Sequence, residues 1–332
     1  MIINILTNLY STGLRRDSEI LTSVLTGLGH TVRSFDLFLQ YDQDKLSQIR
    51  GADINIYCET LHRGRYLDCA RYNFLYVNPE WYLPEFDQYL SQINLVLTKT
   101  PHAQRIWTQR LGSARVVYTG FASMDRKADT SIARTGHFLH VIGKSSSKGS
   151  EEVARAWYDI SMNYPKLNLT VITSSSSAYP QERVAARKLS DLFRDLPRVR
   201  CLHNIPEDQM TIEMNLCRCL LAPSLYEGYS HSIHEALSAE MVVITTDAEP
   251  MRSFAGIDER YLVQVARRCP RYMVEWNYAS PEDIARKISN IAMTSERSLD
   301  IVGKRARIAW HKECDHFRAV WPALLDGWEE RL

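Results

Sequence analysis

The sequence has almost no excess of charge: 40 Lys and Arg stand against 39 Asp and Glu, a formal net charge of +1 over 332 residues. Whole-chain electrostatics therefore gives no ground for a nucleic-acid partner, although a local patch is compatible with it. Cysteine is scarce and unpatterned. The seven residues, Cys58, Cys69, Cys201, Cys217, Cys219, Cys269 and Cys314, are odd in number, and no two show CxxC spacing. Reduced thiols in a cytoplasmic protein are the expectation. No apolar run approaches membrane-spanning length. The start, Met1-Ile-Ile-Asn-Ile-Leu6, lacks the basic region and the length of a secretory leader. There are no repeats, and Ser174–Ser177 is the only low-complexity run. No GxGxxG follows the first apolar run, so a dinucleotide fingerprint is missing, and no Walker A spacing occurs. His311, Cys314 and His316 have no further ligands nearby in sequence, so no metal site is expected.

Short apolar runs alternating with amphipathic segments make up the rest of the chain. Ile2–Leu6 reads as a strand buried on both faces, Thr7–Asp17 as a polar, Gly-containing loop, and Ser18–Leu28 as an amphipathic helix ended by Gly29-His30. Thr31–Leu37 is the next strand. This βαβ unit seeds a parallel, doubly wound α/β sheet. Ile54–Cys58, Phe74–Val77, Leu95–Thr98 and Val116–Tyr118 continue it. Around Ser123–Gly136 the pattern lapses, and Met124–Ser131 reads as an interdomain linker. A second α/β series follows. It comprises strand Phe138–Ile142, loop Gly143–Ser150, helix Glu151–Met162, strand Leu167–Thr173, helix Glu182–Leu192, strand Val199–Leu202 and helix Pro206–Cys217. The expected domains are 1–128 and 129–309. Past Asp247 the signals weaken, apart from the capped helix Pro281–Ile291 and a helical tail from about Ser298 with a break near Pro322.

Two stretches of the second half suit an anion. The run Cys219–Ala222 reads as a buried strand stopped by Pro223-Ser224, and Glu227-Gly228 as a turn. Ser232-Ile-His-Glu235 has the capping-box pattern, so a helix is expected to start near Ser230–Ser232. Free backbone N–H groups and a positive helix end face the turn, and Glu227 and Glu235 bracket it with seven residues between them. Gly143-Lys144-Ser-Ser-Ser-Lys148-Gly149 likewise follows a strand and precedes a helix. Its two ammonium groups suit a phosphate or diphosphate, with charge-assisted hydrogen bonds worth about 1.5–3 kcal/mol each. Every residue has a plainer alternative. The lysine loop is compatible with a solvated surface, Glu235 with closure of its own capping box, and Glu227 with a turn. His231 and His234 fit surface or supporting positions.

Taken together, Gly143-Lys144…Lys148-Gly149, Ala222-Pro-Ser-Leu-Tyr-Glu-Gly-Tyr-Ser230…Glu235-Ala-Leu and Val243-Ile-Thr-Thr-Asp247 resemble the donor domain of GT-B glycosyltransferases. The likeness is to the retaining, family 4-like group (glycosyl transferases group 1). It covers 138–247 well and the N-terminal half only at the level of fold. It implies two facing Rossmann-like domains, with a C-terminal helix of about 310–332 packing back on the first. It also implies transfer of a sugar from a nucleotide-sugar, UDP- or GDP-linked, to a hydroxyl acceptor, with retention and without a metal or other cofactor. By the same resemblance Glu235 holds the ribose, and Lys144 and Lys148 neutralise the diphosphate. Glu227 orients the donor sugar. Backbone around Gly143, Gly228, Tyr229, Ser230, His231 and Ser232 contacts sugar and phosphate, and the base lies near Asn204-Ile205.

The chain departs from that pattern at several points. The family usually has Gly where Ser230 and Glu240 stand, Pro where Val242 stands, and Arg where Lys144 stands. A histidine that the family's first half often supplies is missing, and Asn78 or Glu80 occupies that place. Gly13 is expected on a loop facing the cleft, with Arg15 and Arg16 nearby. The acceptor is left open: a glycan, a lipid, a small molecule or modified DNA. Arg63, Arg65, Arg71, Tyr72, Trp81 and Tyr82 leave room for a DNA-modifying transferase. The same fold also serves epimerases, phosphorylases and non-catalytic nucleotide-sugar binders.

Overall fold

The computed structural model describes residues 1–37, 43–128, 134, 136–143, 145–174 and 180–327. The chain divides into two compact units, one of Met1–Ala122 with Arg271–Val274 and Glu313–Leu332, the other of Ser123–Pro270 with Glu275–Lys312.

The first unit runs β1 (Ile2–Thr7), α1 (Thr12–Gly27), β2 (Thr31–Asp36), α2 (Gln43–Ile49), β3 (Ala52–Glu59), β4 (Ala70–Val77), β5 (Leu95–Thr98), α3 (Pro101–Leu111) and β6 (Val116–Tyr118). The sheet order is β2-β1-β3-β4-β5-β6, parallel throughout. Leu6, Tyr57, Leu75, Val96 and Trp107 anchor its core. Strand order reverses between β1 and β3, the place where doubly wound sheets open a crevice at their carboxyl ends.

Helix α1 begins at Thr12, so the expected loop shrinks to Asn8–Ser11, and Gly13, Arg15 and Arg16 are helical. Asn8 Oδ1 turns the chain there by accepting from the Tyr10 and Ser11 amides at 3.0 and 3.3 Å. The sequence pattern failed at Asp17 and Ser18, two polar residues that the helix buries. Asp17 is held by Lys99 Nζ at 2.5 Å, and both side chains are about 95% covered. Lys99 also lies 4.8 Å from the Phe121 ring centroid.

The second unit continues with β7 (Gly136–Gly143), α4 (Ser150–Asn163), β8 (Leu169–Thr173), α5 (Pro180–Asp191), β9 (Val199–His203), α6 (Glu207–Leu216) and β10 (Cys217–Ala222). It ends with α7 (His231–Ser238), β11 (Val242–Thr246), β12 (Leu262–Val263), β13 (Val265–Pro270), β14 (Glu275–Ala279), α8 (Pro281–Met293) and α9 (Glu296–Gly327), the last of which belongs to the first unit from Glu313 on. Its main sheet has the order β12-β11-β10-β7-β8-β9, again parallel. Here the order reverses between β7 and β10, which pair as Cys219↔Phe138 and Leu220↔Leu139. Phe138, Trp157, Leu221, Ile244 and Ile284 fill the core. The antiparallel pair β13–β14 was not foreseen, because Arg267 and Arg268 break its apolar alternation.

Two further expectations change. Residues 123–128 are not a free linker. Arg126 is buried to 1% exposure, and its backbone N–H donates to Ser238 Oγ at 2.8 Å. Pro322 does not break the tail, for α9 runs through it. Packing outweighs the lost hydrogen bond. Trp321 is fully buried edge-on to Tyr76, Phe317 meets Phe121 at 4.9 Å, and His316 stacks on Tyr118 at 5.2 Å. All seven cysteines are free thiols. Among the described residues, no helix is long and apolar enough to cross a membrane.

Removing one partner of a buried ion pair leaves an uncompensated charge, so Lys99→Met should destabilise the protein by about 3–5 kcal/mol. Adding Asp17→Asn should recover part of that loss. Urea unfolding of both variants checks it, and a double variant no better than Lys99→Met would contradict the coupling.

Candidate functional site

The loops that follow β7 and β10 meet because these strands are neighbours at the reversal of strand order. The β7 loop closes through Ser145 Oγ, which accepts from the Ser147 amide at 3.2 Å. Gly149 has φ +68°, and a β-carbon built on it would stand 2.1 Å from the Pro223 carbonyl oxygen. Only glycine permits that approach. The Leu225 amide then donates to Ser147 O at 2.8 Å. His140, wholly buried on β7, ties the two loops from below, with Nδ1 2.7 Å from Leu221 O and Nε2 3.0 Å from Ser150 Oγ. A carbonyl only accepts, so Nδ1 carries the proton and Nε2 takes one from Ser150. Burial lowers the His140 pKa to about 4, which keeps that tautomer neutral.

The β10 loop is buried along its whole length, 222–230. Thr246 Oγ1 donates to Ser224 O at 2.7 Å, and Asn277 N to Leu225 O at 2.9 Å. These contacts fix Glu227. Its Oε1 accepts from Ser224 Oγ and from Lys148 Nζ, both at 2.6 Å. The Lys148 side chain keeps 22% exposure and that of Glu227 9%, so the ammonium is the reachable member of the pair. Lys144 lies outside the described residues. Gly143 ends β7 with φ +60° and accepts from the Ser174 amide at 3.0 Å.

Helix α7 begins one residue after Ser230, which sits in the left-handed region at φ +66° without a side-chain cap. The expected capping box between Ser232 and Glu235 does not form, because the helix starts too early to put Glu235 at the third helical position. His234 supports the turn instead: its Nδ1 lies 3.0 Å from Ser230 O, and its ring stacks on Tyr229 at 3.9 Å. His234 is fully buried, and His231 is half-buried, edge-on to Tyr229. Gly228 is buried and Ser232 half-buried. No acidic residue stands in the first turn of α7, whereas α4 opens with Glu151 and Glu152. An anion is therefore better served by the α7 end.

Glu235 is 1% exposed and accepts from Arg126 Nε at 3.0 Å. Sequence reading missed Arg126, which stands in a polar stretch without periodicity. Asn204 is exposed at φ +50°, with its amide on Thr173 O at 3.0 Å, and Ile205 is half-buried beside it. The second unit thus brings together Gly143, Lys148, Glu227 and Gly228–Ser232 where β7 and β10 end.

The first unit gathers a separate set at its own carboxyl ends. Asn78, buried at the end of β4, donates through Nδ2 to Glu59 Oε1 at 3.1 Å. Glu59 closes β3 at φ +73°, and burial pushes its carboxyl up to about 7. Its position as the last residue of an apolar strand was the one sequence signal for it. Glu80 is half-buried, and Gly13 lies in the first turn of α1. Of the residues that left room for a DNA acceptor, Tyr82 is not a surface group: it is 2% exposed and edge-on to Trp107 at 4.8 Å.

Two doubly wound parallel sheets with a long C-terminal helix define the GT-B class. The glycosyl transferases group 1 profile matches residues 127–307, more than half of the chain, and the protein belongs to that family of glycosyltransferases. Comparison with curated protein sequences finds no match. Among solved structures, HepE of Anabaena, in complex with UDP and glucose, is similar with a TM-score of 0.74 and 13% identity over 98% of this chain and 100% of that one. An α,α-trehalose-phosphate synthase (UDP-forming) from Burkholderia vietnamiensis gives 0.68 and 10% over 98% and 99%. An E. coli protein bound with UDP-2-fluoro glucose gives 0.68 and 11% over 97% and 98%. These likenesses concern the fold.

Ser230 and Glu240 (φ +59°) stand where the resemblance expected glycine, and both are left-handed. That conformation costs an L-residue about 1–2 kcal/mol, of which glycine's extra chain entropy offsets part. Ser230→Gly should therefore stabilise the protein by about 0.5–1 kcal/mol in denaturant unfolding. A loss of stability would show that the Ser230 turn carries no strain.

Proposed function

We propose that the protein transfers a sugar from a nucleoside-diphosphate-sugar to a hydroxyl acceptor, with retention at the anomeric carbon and without a metal ion. The observation that carries this reading is the partly exposed Lys148 ammonium, held by buried Glu227 beside the acid-free start of α7. Leaving-group charge is what such a reaction must stabilise, and a fixed ammonium with backbone N–H groups does so without reorganising. Lys148 and the first N–H groups of α7 hold the diphosphate, and Lys144 is assigned there by the family resemblance. Glu227 orients hydroxyls of the donor sugar, Glu235 holds the ribose, and the base lies by Asn204-Ile205. UDP in the HepE and E. coli structures supports a uridine donor by analogy.

In the step itself the bond from the anomeric carbon to the β-phosphate oxygen breaks. The acceptor oxygen bonds to that carbon on the same face, and its proton passes to the departing phosphate. The retained face rests on the family resemblance. Glu59 and Asn78 are candidates for binding hydroxyls on the first unit.

Lys148→Ala and Glu235→Ala should each weaken nucleoside-diphosphate binding by about 10-fold or more, as expected for loss of a charge-assisted hydrogen bond. Isothermal titration with UDP and GDP measures this, and unchanged affinity in both variants would remove the assigned site. Once a donor and an acceptor are paired, NMR of the product should show the donor's own anomeric configuration. An inverted linkage would overturn the retaining assignment.

A further inference from the structure

We infer that Arg126 is a positioning residue that aims the Glu235 carboxylate at the ribose and couples it to the base-side loop. This rests on the reading of Glu235 as the ribose carboxylate. The guanidinium is 1% exposed and fully engaged. Nε donates to Glu235 Oε2 at 3.0 Å, Nη1 to Glu207 O and Thr211 Oγ1 at 3.1 Å each, and Nη2 to the Glu207 carboxylate. The backbone is pinned as well: its N–H donates to Ser238 Oγ at 2.8 Å, and its carbonyl accepts from Asn215 Nδ2 at 2.5 Å.

This geometry does two things. A charge buried to 1% exposure needs a facing counter-charge. Arg126 is always charged and its fork is planar, so it supplies that counter-charge and fixes the direction of the carboxylate. The opposite side of the same fork holds Glu207, the first residue of α6, which follows Asn204-Ile205-Pro206 directly. A single side chain thus sets the distance between the ribose carboxylate and the loop assigned to the base. A flexible linker residue, which the sequence pattern suggested, would do neither.

The test uses the full-length protein. Among UDP, GDP, ADP and CDP, the tightest ligand of the wild type is compared by calorimetry with its 2′,3′-dideoxy form, and inorganic pyrophosphate reports the phosphate subsite alone. Wild type should prefer the ribose form by about 10-fold or more, the loss expected when a charged acceptor forfeits its hydroxyl donors. Glu235→Gln and Arg126→Gln should each bring the ratio close to one and leave pyrophosphate affinity unchanged. No preference in wild type, binding of none of the four, or a preference that survives Glu235→Gln overturns the ribose reading itself. A preference lost in Glu235→Gln but kept in Arg126→Gln overturns the Arg126 assignment alone. Loss of pyrophosphate binding in Arg126→Gln marks a general support of the fold and also overturns it. Should that variant not fold, Arg126→Lys, which keeps the charge without the fork, carries the test with a reduced ratio expected.

Discussion

The meeting of the β7 and β10 loops depends on one close approach, that of the Gly149 backbone to the carbonyl of Pro223. A β-carbon at residue 149 would stand 2.1 Å from that oxygen, so any other residue would push the two loops apart. Their contact places Lys148 beside Glu227, lets Leu225 bond to Ser147, and aligns Ser150 over His140. It exists because β7 and β10 are neighbours where the sheet order reverses. Sheet topology brings the two loops to one place, and a missing side chain lets them touch.

Buried charge is the second organising constraint. Asp17 in the first unit and Glu235 in the second are both almost wholly covered, and each faces a covered cation, Lys99 and Arg126 respectively. Such pairs contribute little net stability, but neither partner can be removed alone. They tie together segments that the chain separates widely, and so fix geometry more than they add energy. Both also disturb the apolar periodicity, which is why the start of α1, Thr12–Asp17, and residues 124–128 were misread as loop and linker.

The left-handed residues near the site follow a related logic. Ser230 adopts a conformation that suits glycine, and His234 accompanies it by donating to the Ser230 carbonyl while stacking under Tyr229. The strain is held in place by a buried aromatic pair, because a backbone outlier persists only where its surroundings over-determine it.

Most strands were legible within a residue or two, because a parallel strand buried on both faces is a short apolar run with turn residues at its ends. The glycines and lysine of 143–149, and the two glutamates of 227–235, were legible for a similar reason: their chemistry is local in sequence. Short strands such as β12 and the arginine-bearing β13 were not. By itself the sequence determined the order of strands and helices and the two anion-suited loops. Tertiary structure alone decided that Arg126 meets Glu235, that Asn78 meets Glu59, and that Lys148 leans on Glu227. These partners stand 109, 19 and 79 residues apart. A contact between segments that lie apart in the chain leaves no period in it, so only the packed fold shows it.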